Sequence, residues 1–325
     1  MAISSTSSTY VLYASEHMNA ITCLGLALAT AAFWLSWRSA DPYGLFHLSL
    51  NSLPSDDSNI PPPTEWLNMG FWPGAKSFPE ACKALALKNI LAAQLKPESH
   101  ILDVGYGTGE SLLLLLSDSG IPRPSLLAGI TSLRAHYERS KKRVEDLKNR
   151  SAEAAQTRVV LFHDDAVWST KSSKHHPLRP LSIESPSSST TFDAILVLDC
   201  AYHFNTRRRF IEQAFEHLKA GGRISLADIC FSSSALQKST SKWLIRLFKL
   251  MPSSNIISIE EYEQQMKEMG YMDVIVEDIT QDVFPGFTSF LKSRGAGWWI
   301  FSQILTWYAY AGARFVIASG SRPEK

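Results

Sequence analysis

Three glycines alternate with other residues shortly after an acidic side chain, at Gly105, Gly107 and Gly109. The acidic residue is Asp103, near the end of an apolar run. Glycine is needed where a backbone turns sharply or approaches a ligand without a Cβ atom in the way. The spacing differs from the GxGxxG loop with which dinucleotide-binding domains hold a pyrophosphate. We therefore expect a zwitterionic ligand, with Asp103 accepting from its ammonium group or supporting the loop; a tight turn without a ligand is the alternative.

A second set of chemically useful residues follows a later apolar run, which covers 192–198. Tyr202 and His203 come shortly after it. The ordinary pKa of histidine lies near neutrality, so His203 is the best candidate for a general base. Tyr202 is expected to orient a substrate or to line its path. For both residues the alternative is a purely structural role.

Both sets of residues need a sheet that brings the ends of its strands together. Apolar runs typical of strands cover seven segments: 100–104, 126–130, 159–163, 192–198, 223–228, 272–278 and 313–319. Helical patterns lie between them, and the clearest cover 134–149, 206–218 and 259–269. Ser258 and Glu261 predict a capping box at the start of the last of these helices. This alternation predicts an α/β, Rossmann-like sheet with helices on both faces, whose ligands bind at the carboxyl ends of the strands.

The composition of the 325-residue chain favours a folded protein with a packed core. Hydrophobic residues make up 45% of it, and the formal net charge is +1. The hydrophobic content therefore excludes wholesale disorder, and the nearly neutral overall charge does not indicate a nucleic-acid partner. The four cysteines form no CxxC pair. We predict no metal site, and this cysteine usage is typical of a reducing compartment.

One N-terminal segment, 18–37, contains no charged side chain. Twenty residues of helix are just long enough to cross about 30 Å of hydrocarbon. Trp34 and Trp37 occupy the end where interfacial aromatics are expected, and Arg38 follows. Since no Lys or Arg precedes the segment, the positive-inside rule predicts a cytosolic location for the rest of the chain, with the endoplasmic reticulum as one candidate membrane. A small-residue helix packed on the folded domain is the alternative.

The remaining organisation follows from composition and spacing. The predicted divisions are a tail at 1–17, an anchor helix at 18–38, a linker at 39–65 and a folded domain at 66–325. A serine-rich stretch at 170–191 predicts a surface insertion. Two later segments predict lids or membrane-facing helices: 237–251, a basic amphipathic pattern, and 297–310, which is rich in aromatic residues. A pocket wall and a dimer contact are further possible roles for the second segment.

Two further clusters are expected to have no chemical role. Arg207, Arg208 and Arg209 open a helix, where a solvated face is the ordinary interpretation. His175 and His176 lie in the serine-rich stretch and have no partners at the spacing of metal ligands.

Five sequence motifs, in a fixed order, resemble those of the class I S-adenosylmethionine-dependent methyltransferases, in particular their tocopherol and sterol methyltransferase-like branch. The matching segments are 103–110 for motif I, 128–131 with His136 for the GIT…Q motif, 164–166 for the DA motif, 192–204 for motif IV and 218–223 for the turn before the fifth strand. The similarity covers about residues 66–319. Five motifs in the same order identify a family much more specifically than a single glycine loop does.

The resemblance implies that the chain binds S-adenosylmethionine and transfers its methyl group in line, without a metal. It implies cofactor contacts from ten residues: Asp103, Gly105, Tyr106, Gly107, Gly109, Thr131, His136, Asp165, Ala166 and Asp199. Asp165 would accept from the adenine amino group, and Thr131 would lie near the ribose. His136 stands where this branch usually has glutamine. The acidic residue that commonly holds the ribose hydroxyls is absent.

The segment 68–72 resembles the lid that precedes motif I in related enzymes. Asn68, Phe71 and Trp72 would then cover the cofactor and shape the entrance for the acceptor, although an aromatic core cluster also explains the two aromatic residues. Together with the two later lid or membrane-facing segments, this indicates a small, lipophilic, membrane-associated acceptor. A homo-oligomer is a possible assembly. The sequence does not distinguish between C-, O- and N-methylation.

Two other classes of function compete with a methyltransferase. The first is a binding or scaffold protein at a membrane that uses a degenerate methyltransferase fold. The intact glycines, Asp103 and Asp165 disfavour it. The second is a nicotinamide-dependent oxidoreductase, which the spacing of the glycine loop disfavours.

Overall fold

The computed structural model describes residues 45–53, 62–181, 190–239, 245 and 250–324. A compact unit begins at Leu48, earlier than the predicted domain boundary at Trp66. The buried side chain of Asn51 joins this earlier segment to Trp66 by two hydrogen bonds. Its Nδ2 donates to the carbonyl of Trp66 at 3.0 Å, and its Oδ1 accepts from the N–H of Trp66 at 2.8 Å.

The predicted tail, the predicted anchor helix at 18–38, positions 39–44 and 54–61 of the predicted linker and most of the predicted segment 237–251 lie outside the described residues. Within the part of the chain that the structure describes, no helix combines the length and apolar character needed to cross a bilayer.

The described strands form one mixed sheet in the order β3-β2-β1-β4-β5-β7-β6. They are β1 His100–Val104, β2 Leu126–Thr131, β3 Arg158–His163, β4 Phe192–Leu198, β5 Leu218–Phe231, β6 Met272–Asp278 and β7 Ala313–Ser321. Strands β1 to β5 pair in parallel, and β7 is antiparallel to both β5 and β6. All seven predicted strands are present, and the predicted Rossmann-like sheet is confirmed.

Nine α-helices accompany the sheet in the described ranges. They are α1 Phe78–Ala92, α2 Glu110–Ser117, α3 Arg134–Arg150, α4 Ala152–Gln156, α5 Arg207–His217, α6 Ser233–Gln237, α7 Ile259–Glu268, α8 Thr280–Lys292 and α9 Ala296–Tyr310. The predicted capping box at α7 is present: Ser258 Oγ accepts from the N–H of Glu261, whose carboxylate accepts from the N–H of Ser258. Short 3-10 helices cover Leu45–Asn51, Ala201–His203 and Ser253–Asn255.

The apolar core lies on both faces of the sheet, because successive side chains of a strand point to opposite faces. Ile101 packs in a cluster with Phe78 of α1, whereas its neighbour Leu102 packs in a second cluster with Phe210 of α5. Helices therefore cover both faces and leave the carboxyl ends of β1 to β5 at one edge.

The serine-rich stretch differs from the predicted surface insertion where it is described. His176, Pro177 and Leu178 are buried, and Leu178 belongs to one of the two core clusters. The stretch is held down because His176 bonds to the loop after β3. Its Nδ1 accepts from the N–H of Leu178 at 3.0 Å, so Nε2 carries the proton and donates to the carbonyl of Asp165 at 2.8 Å.

The prediction that the start of α5 presents a solvated face is wrong for its first residue, Arg207. Arg207 is fully buried and forms an ion pair of 2.8 Å with Asp228 of β5. Its guanidinium also lies 4.4 Å from the ring centroid of Tyr262. Arg208 and Arg209 are exposed, as predicted. A buried carboxylate within reach explains the difference, since a buried charge needs a partner.

Candidate active site

The glycine loop after β1 packs directly against the turn that follows β4. Gly105 has φ +73°, and a Cβ atom there would lie 2.4 Å from Sγ of Cys200. Strands β1 and β4 are parallel neighbours, with Asp103 opposite Leu196, so their carboxyl ends lie side by side. Only glycine permits this approach. The two predicted sets of residues therefore lie on adjacent segments, and Cys200 is a contact of the loop that the sequence analysis did not single out.

Asp103 is buried below the loop and has one carboxylate oxygen without a partner. Its Oδ2 accepts from the hydroxyl of Ser111 at 2.5 Å, whereas no hydrogen bond to Oδ1 is found. Burial raises the pKa of Asp103 to about 7. A buried, unsatisfied carboxylate oxygen is costly, and a ligand with an ammonium group would satisfy it.

Asp199, at the end of β4, is the second buried carboxylate of the site. It has the left-handed backbone φ of 57°. Oδ2 accepts from the N–H of Met69 at 2.7 Å, the Tyr202 side chain also bonds to this carboxyl group, and no hydrogen bond to Oδ1 is found. Burial, with a smaller contribution from the charge of Asp228, raises the pKa of Asp199 to about 8.

Residues 62–72, which we name the strap, lie over the glycine loop. The hydroxyl of Thr108 donates to the carbonyl of Glu65 at 2.5 Å, and the N–H of Glu65 donates to Oε1 of Glu110 at 2.7 Å. Gly107 has φ +56°, and a Cβ atom there would lie 3.0 Å from Cδ1 of Leu67. The strap therefore covers the loop with its backbone and with Leu67.

Two arginines of α3 hold the strap in place. Arg139 donates from Nε and Nη2 to the two carboxylate oxygens of Glu65, each at 2.5 Å. Arg143 pairs with Glu65 at 3.5 Å and also with Glu110. Sequence reasoning missed this network. The spacing of the arginines by four residues was visible, but nothing local connects them to Glu65, which lies 74 positions from Arg139.

The predicted lid residues lie in and beside the strap. Asn68 is buried, and its Nδ2 donates to the carbonyl of Cys82 at 3.3 Å. The ring of Phe71 lies 5.5 Å from Nζ of Lys88. Trp72 packs on α8, where a Cβ atom on Gly286 would lie 2.2 Å from its Cγ. Trp72 thus packs in an aromatic cluster with Phe290 of α8, and the backbone of the strap covers the loop.

The other predicted cofactor residues lie along the same edge of the sheet. Tyr106 is buried, with its ring against Gly129 of β2. Gly109, with φ +95°, begins α2 and lies against Ser140 of α3. Thr131 ends β2 and is buried.

His136 and the loop after β3 complete this edge. His136 lies in the first turn of α3 and is buried. Asp165 is exposed, and its Oδ1 accepts from the N–H of Val167 at 2.8 Å. Ala166 between them is half-buried. Because His176 donates to the carbonyl of Asp165, the predicted adenine-binding loop is fixed from the serine-rich stretch.

Tyr202 and His203 lie on the 3-10 turn that follows β4, next to the glycine loop. Their ring centroids are 4.2 Å apart. Burial lowers the pKa of His203 to about 4. The imidazole is therefore neutral around pH 7, the form that can accept a proton. Among the described residues, no cluster of three or more His, Cys, Asp or Glu side chains could hold a metal ion.

Comparisons with known proteins agree with this geometry. A family model described as "Methyltransferase domain" matches residues 78–275, more than half of the chain. The erythromycin 3''-O-methyltransferase of Saccharopolyspora erythraea is 26% identical over 263 residues, which cover 79% of this chain and 78% of that protein. The 27-O-demethylrifamycin SV methyltransferase of Amycolatopsis mediterranei is 25% identical over 227 residues, which cover 69% and 73% of the two chains.

A solved structure shares the fold. It is the geranyl diphosphate C-methyltransferase from Streptomyces coelicolor A3(2), in complex with Mg2+, geranyl-S-thiolodiphosphate and S-adenosyl-L-homocysteine. The identity is 16% and the TM-score 0.54, with 76% of this chain and 78% of that chain covered. The family match, the sheet order and the glycine loop with its buried carboxylates agree with one another. The chain belongs to the methyltransferase-domain family and is a class I S-adenosylmethionine-dependent methyltransferase.

Proposed function

We propose that this enzyme methylates a hydroxyl oxygen of a small, lipophilic, polyketide-like molecule. The main structural support for the proposal is the contact between Gly105 and Cys200. Through this contact the turn after β4, which includes His203, lies beside the glycine loop. Two relatives support oxygen as the acceptor atom. One is named for O-methylation of erythromycin, and the other acts on 27-O-demethylrifamycin SV, as their names state.

The residues at the carboxyl ends of β1 to β4 have the chemistry to hold S-adenosylmethionine. Oδ1 of Asp103 is a buried acceptor for the ammonium group, and Asp199 adds a second carboxyl group with a buried Oδ1 at the same end of the site. Gly105, Gly107 and Gly109 let the loop approach the ligand. Thr131, His136, Asp165 and Ala166 would contact the adenosine part. These roles are proposals for each residue.

Bound S-adenosylmethionine supplies a methyl group on a positively charged sulfur, which a nucleophile can attack directly. The enzyme's own task is then alignment, exclusion of water and removal of one proton. The strap excludes water above the loop. Neutral His203 would take the proton from the acceptor hydroxyl as that oxygen accepts the methyl group, and Tyr202 would orient the acceptor beside it.

The proposal includes contact with a membrane interface. Helix α9 contains no charged residue along its 15 residues, and Trp299, Trp307 and Tyr310 on it are exposed. Tryptophan and tyrosine are favoured where lipid meets water. A lipophilic acceptor could then enter from the bilayer, and the segment 18–38 would hold the enzyme there with its catalytic domain in the cytosol. A contact between two copies of the chain is the alternative use of this face.

The test of the reaction uses methyl-labelled S-adenosylmethionine with a lipid and metabolite extract from the source cell. We expect one labelled lipophilic product whose label is on an oxygen, as identified by mass spectrometry and NMR. His203→Ala should bind S-adenosylmethionine with wild-type affinity and lose turnover by about 10²- to 10⁴-fold, the usual range for a general base. A label on carbon or nitrogen would overturn O-methylation, and normal turnover would remove His203 from the mechanism.

The membrane contact is tested by flotation with vesicles of neutral and anionic phospholipids. The full chain is compared with a variant that lacks residues 1–38 and with Trp299→Ser/Trp307→Ser/Tyr310→Ser. Loss of flotation in the truncated chain would support the anchor, and loss in the triple variant would support α9. Absence of flotation by the full chain would overturn the proposed membrane contact.

A further inference from the structure

Asn255 joins a late segment of the chain to the turn that carries His203. It ends the 3-10 helix Ser253–Asn255 and is 1% exposed. Its side-chain Nδ2 donates to the carbonyl of Tyr202 at 2.9 Å and to the carbonyl of Phe204 at 2.7 Å. These two carbonyls lie on either side of His203 in the sequence. Both N–H donors of the amide are therefore used to fix the backbone around this one residue.

Arg207 holds Asn255 from the opposite side. Its backbone N–H donates to Oδ1 of Asn255 at 3.0 Å, and its Nη2 donates to the carbonyl of Asn255 at 2.7 Å. Arg207 is in turn fixed by the carboxylate of Asp228, to which Tyr262 also donates, at 2.9 Å. The amide of Asn255 thus lies in a buried polar network in which its orientation is set by bonds on both sides.

The backbone of the turn is held both from within the turn and by Asn255. The segment from Ala201 to His203 is a single 3-10 turn, and such short helices have poor hydrogen-bond geometry of their own. Its backbone bonds run from the N–H groups of His203 and Phe204 to the carbonyls of Cys200 and Ala201. The carbonyls of Tyr202 and Phe204 are satisfied from outside the turn, by Asn255.

We infer that Asn255 is a positioning residue for His203: it fixes the turn from Tyr202 to Phe204 and thereby keeps the His203 imidazole in its half-buried place on the turn that follows Cys200. The inference rests on the proposed function, in which His203 accepts the proton. It differs from a general contribution to stability, because a residue that only stabilises the fold would leave the surroundings of His203 unchanged in molecules that remain folded.

The titration of His203 is the readout that separates these two roles. Burial lowers the pKa of His203 to about 4. If the turn is released, water reaches the imidazole and its pKa rises toward the ordinary value of about 6.5. The measurement needs no acceptor substrate, and it reports on one side chain rather than on overall stability.

The experiment follows the histidine resonances of the full chain by NMR during a pH titration, with His203→Gln used to assign the signal. The variants are Asn255→Ala and the milder Asn255→Ser, both neutral, so that neither adds a charge near the imidazole. Asn89→Ala is the matched control. Asn89 is a buried asparagine that donates to the carbonyl of Val197 at 3.2 Å and accepts from the hydroxyl of Ser225 at 2.7 Å.

We expect the pKa of His203 to rise by about 1 to 2 units in both Asn255 variants and to stay unchanged in the Asn89 variant. Cooperative urea unfolding selects the variants that are folded at the pH of each titration; if Asn255→Ala is not, Asn255→Ser decides. An unchanged titration of His203 in a folded Asn255 variant would overturn the inference, and so would an equal shift in the Asn89 variant.

Calorimetry with S-adenosylmethionine at neutral pH keeps this test separate from that of the proposed function. Absence of binding by the wild-type chain would overturn the proposed function. Wild-type binding together with an unmoved His203 titration in the Asn255 variants would overturn only the inference about Asn255.

Discussion

The backbone N–H of Met69 donates a hydrogen bond of 2.7 Å to Oδ2 of Asp199, across 130 positions of sequence. One carboxylate therefore ties the strap to the end of β4, where its other oxygen has no hydrogen-bond partner. The covering of the glycine loop and the charge of the site consequently depend on the same side chain. Five predictions follow from this arrangement and from the packing around it.

Binding of S-adenosylmethionine should release protons. Burial raises the pKa of Asp103 to about 7 and that of Asp199 to about 8. A positively charged ligand favours the ionised carboxylates, so we expect the affinity to increase between about pH 6 and about pH 8. Calorimetry in buffers of different ionisation enthalpy measures the number of protons released. Asp103→Asn should reduce that number, and an affinity independent of pH would contradict the prediction.

The same two carboxylates determine how stability depends on pH before the ligand binds. Their pKa values in the folded chain lie above the value of about 3.9 for an unfolded aspartate. The folded chain therefore binds more protons than the unfolded chain between about pH 4 and about pH 8. Their contribution to stability is present below about pH 4 and is lost as the pH rises through this window. Urea unfolding of the ligand-free protein against pH tests this sign.

Gly105→Ala should abolish cofactor binding, and Gly74→Ala should not. Both glycines have a positive φ, +73° and +78°, so each substitution carries the backbone strain of about 1–2 kcal/mol. Only at Gly105 does the new Cβ also meet an atom, Sγ of Cys200 at 2.4 Å, whereas Gly74 has nothing within 4 Å. We expect an additional loss of about 1–3 kcal/mol of unfolding free energy at Gly105. Urea unfolding and calorimetry measure both effects, and equal losses in the two variants would be inconsistent with the contact.

Glu65→Ala should loosen the strap. The Glu65 carboxylate is 9% exposed and lies between Arg139 and Arg143. Breaking a fully buried pair costs about 3–5 kcal/mol, and the partial exposure of Arg139 reduces the expected loss to about 2–3 kcal/mol. S-adenosylmethionine should also dissociate about 10-fold faster, because the loop loses its cover.

The matched control for Glu65 is Glu153→Ala, which removes an ion pair with Arg123 at a side chain that is 74% exposed. Exposed pairs contribute about 0–1 kcal/mol, so this variant should retain nearly wild-type stability. Stopped-flow dissociation and urea unfolding compare the two variants. Similar values for both would mean that the arginines of α3 do not hold the strap.

Gly286→Ala should displace Trp72 from α8. A Cβ atom at Gly286 would lie 2.2 Å from Cγ of the tryptophan, and the indole has no room to move because Phe290 lies 5.4 Å away, centroid to centroid. We expect a loss of about 1–3 kcal/mol and a change in tryptophan fluorescence. Gly297→Ala in α9 is the control, since nothing lies within 4 Å of it and alanine favours a helix by up to about 1 kcal/mol. A destabilised control or an unaffected Gly286→Ala variant would contradict this packing.

Local patterns were sufficient to predict the seven strands and the glycine loop. The apolar runs of β1, β4 and β6 have the predicted bounds, because the period of a strand and the signals that end it lie within a few residues. The loop could be predicted because only glycine adopts its backbone angles and permits the approach of Cys200. The capping box of α7 could be predicted for the same reason: its two partners are three residues apart.

Tertiary structure alone decided which polar side chains work together. Arg207 has the sequence surroundings of a solvated arginine, yet Asp228 and Asn255 make it part of the core. Glu65 gives no local sign that Arg139 is its partner. The free energy of a buried charge depends on the partner that the fold brings to it and not on its neighbours in the chain. The sequence by itself therefore determined the sheet, the loop and the family, and only packing across distant segments determined the strap, the state of His203 and the network that holds its turn.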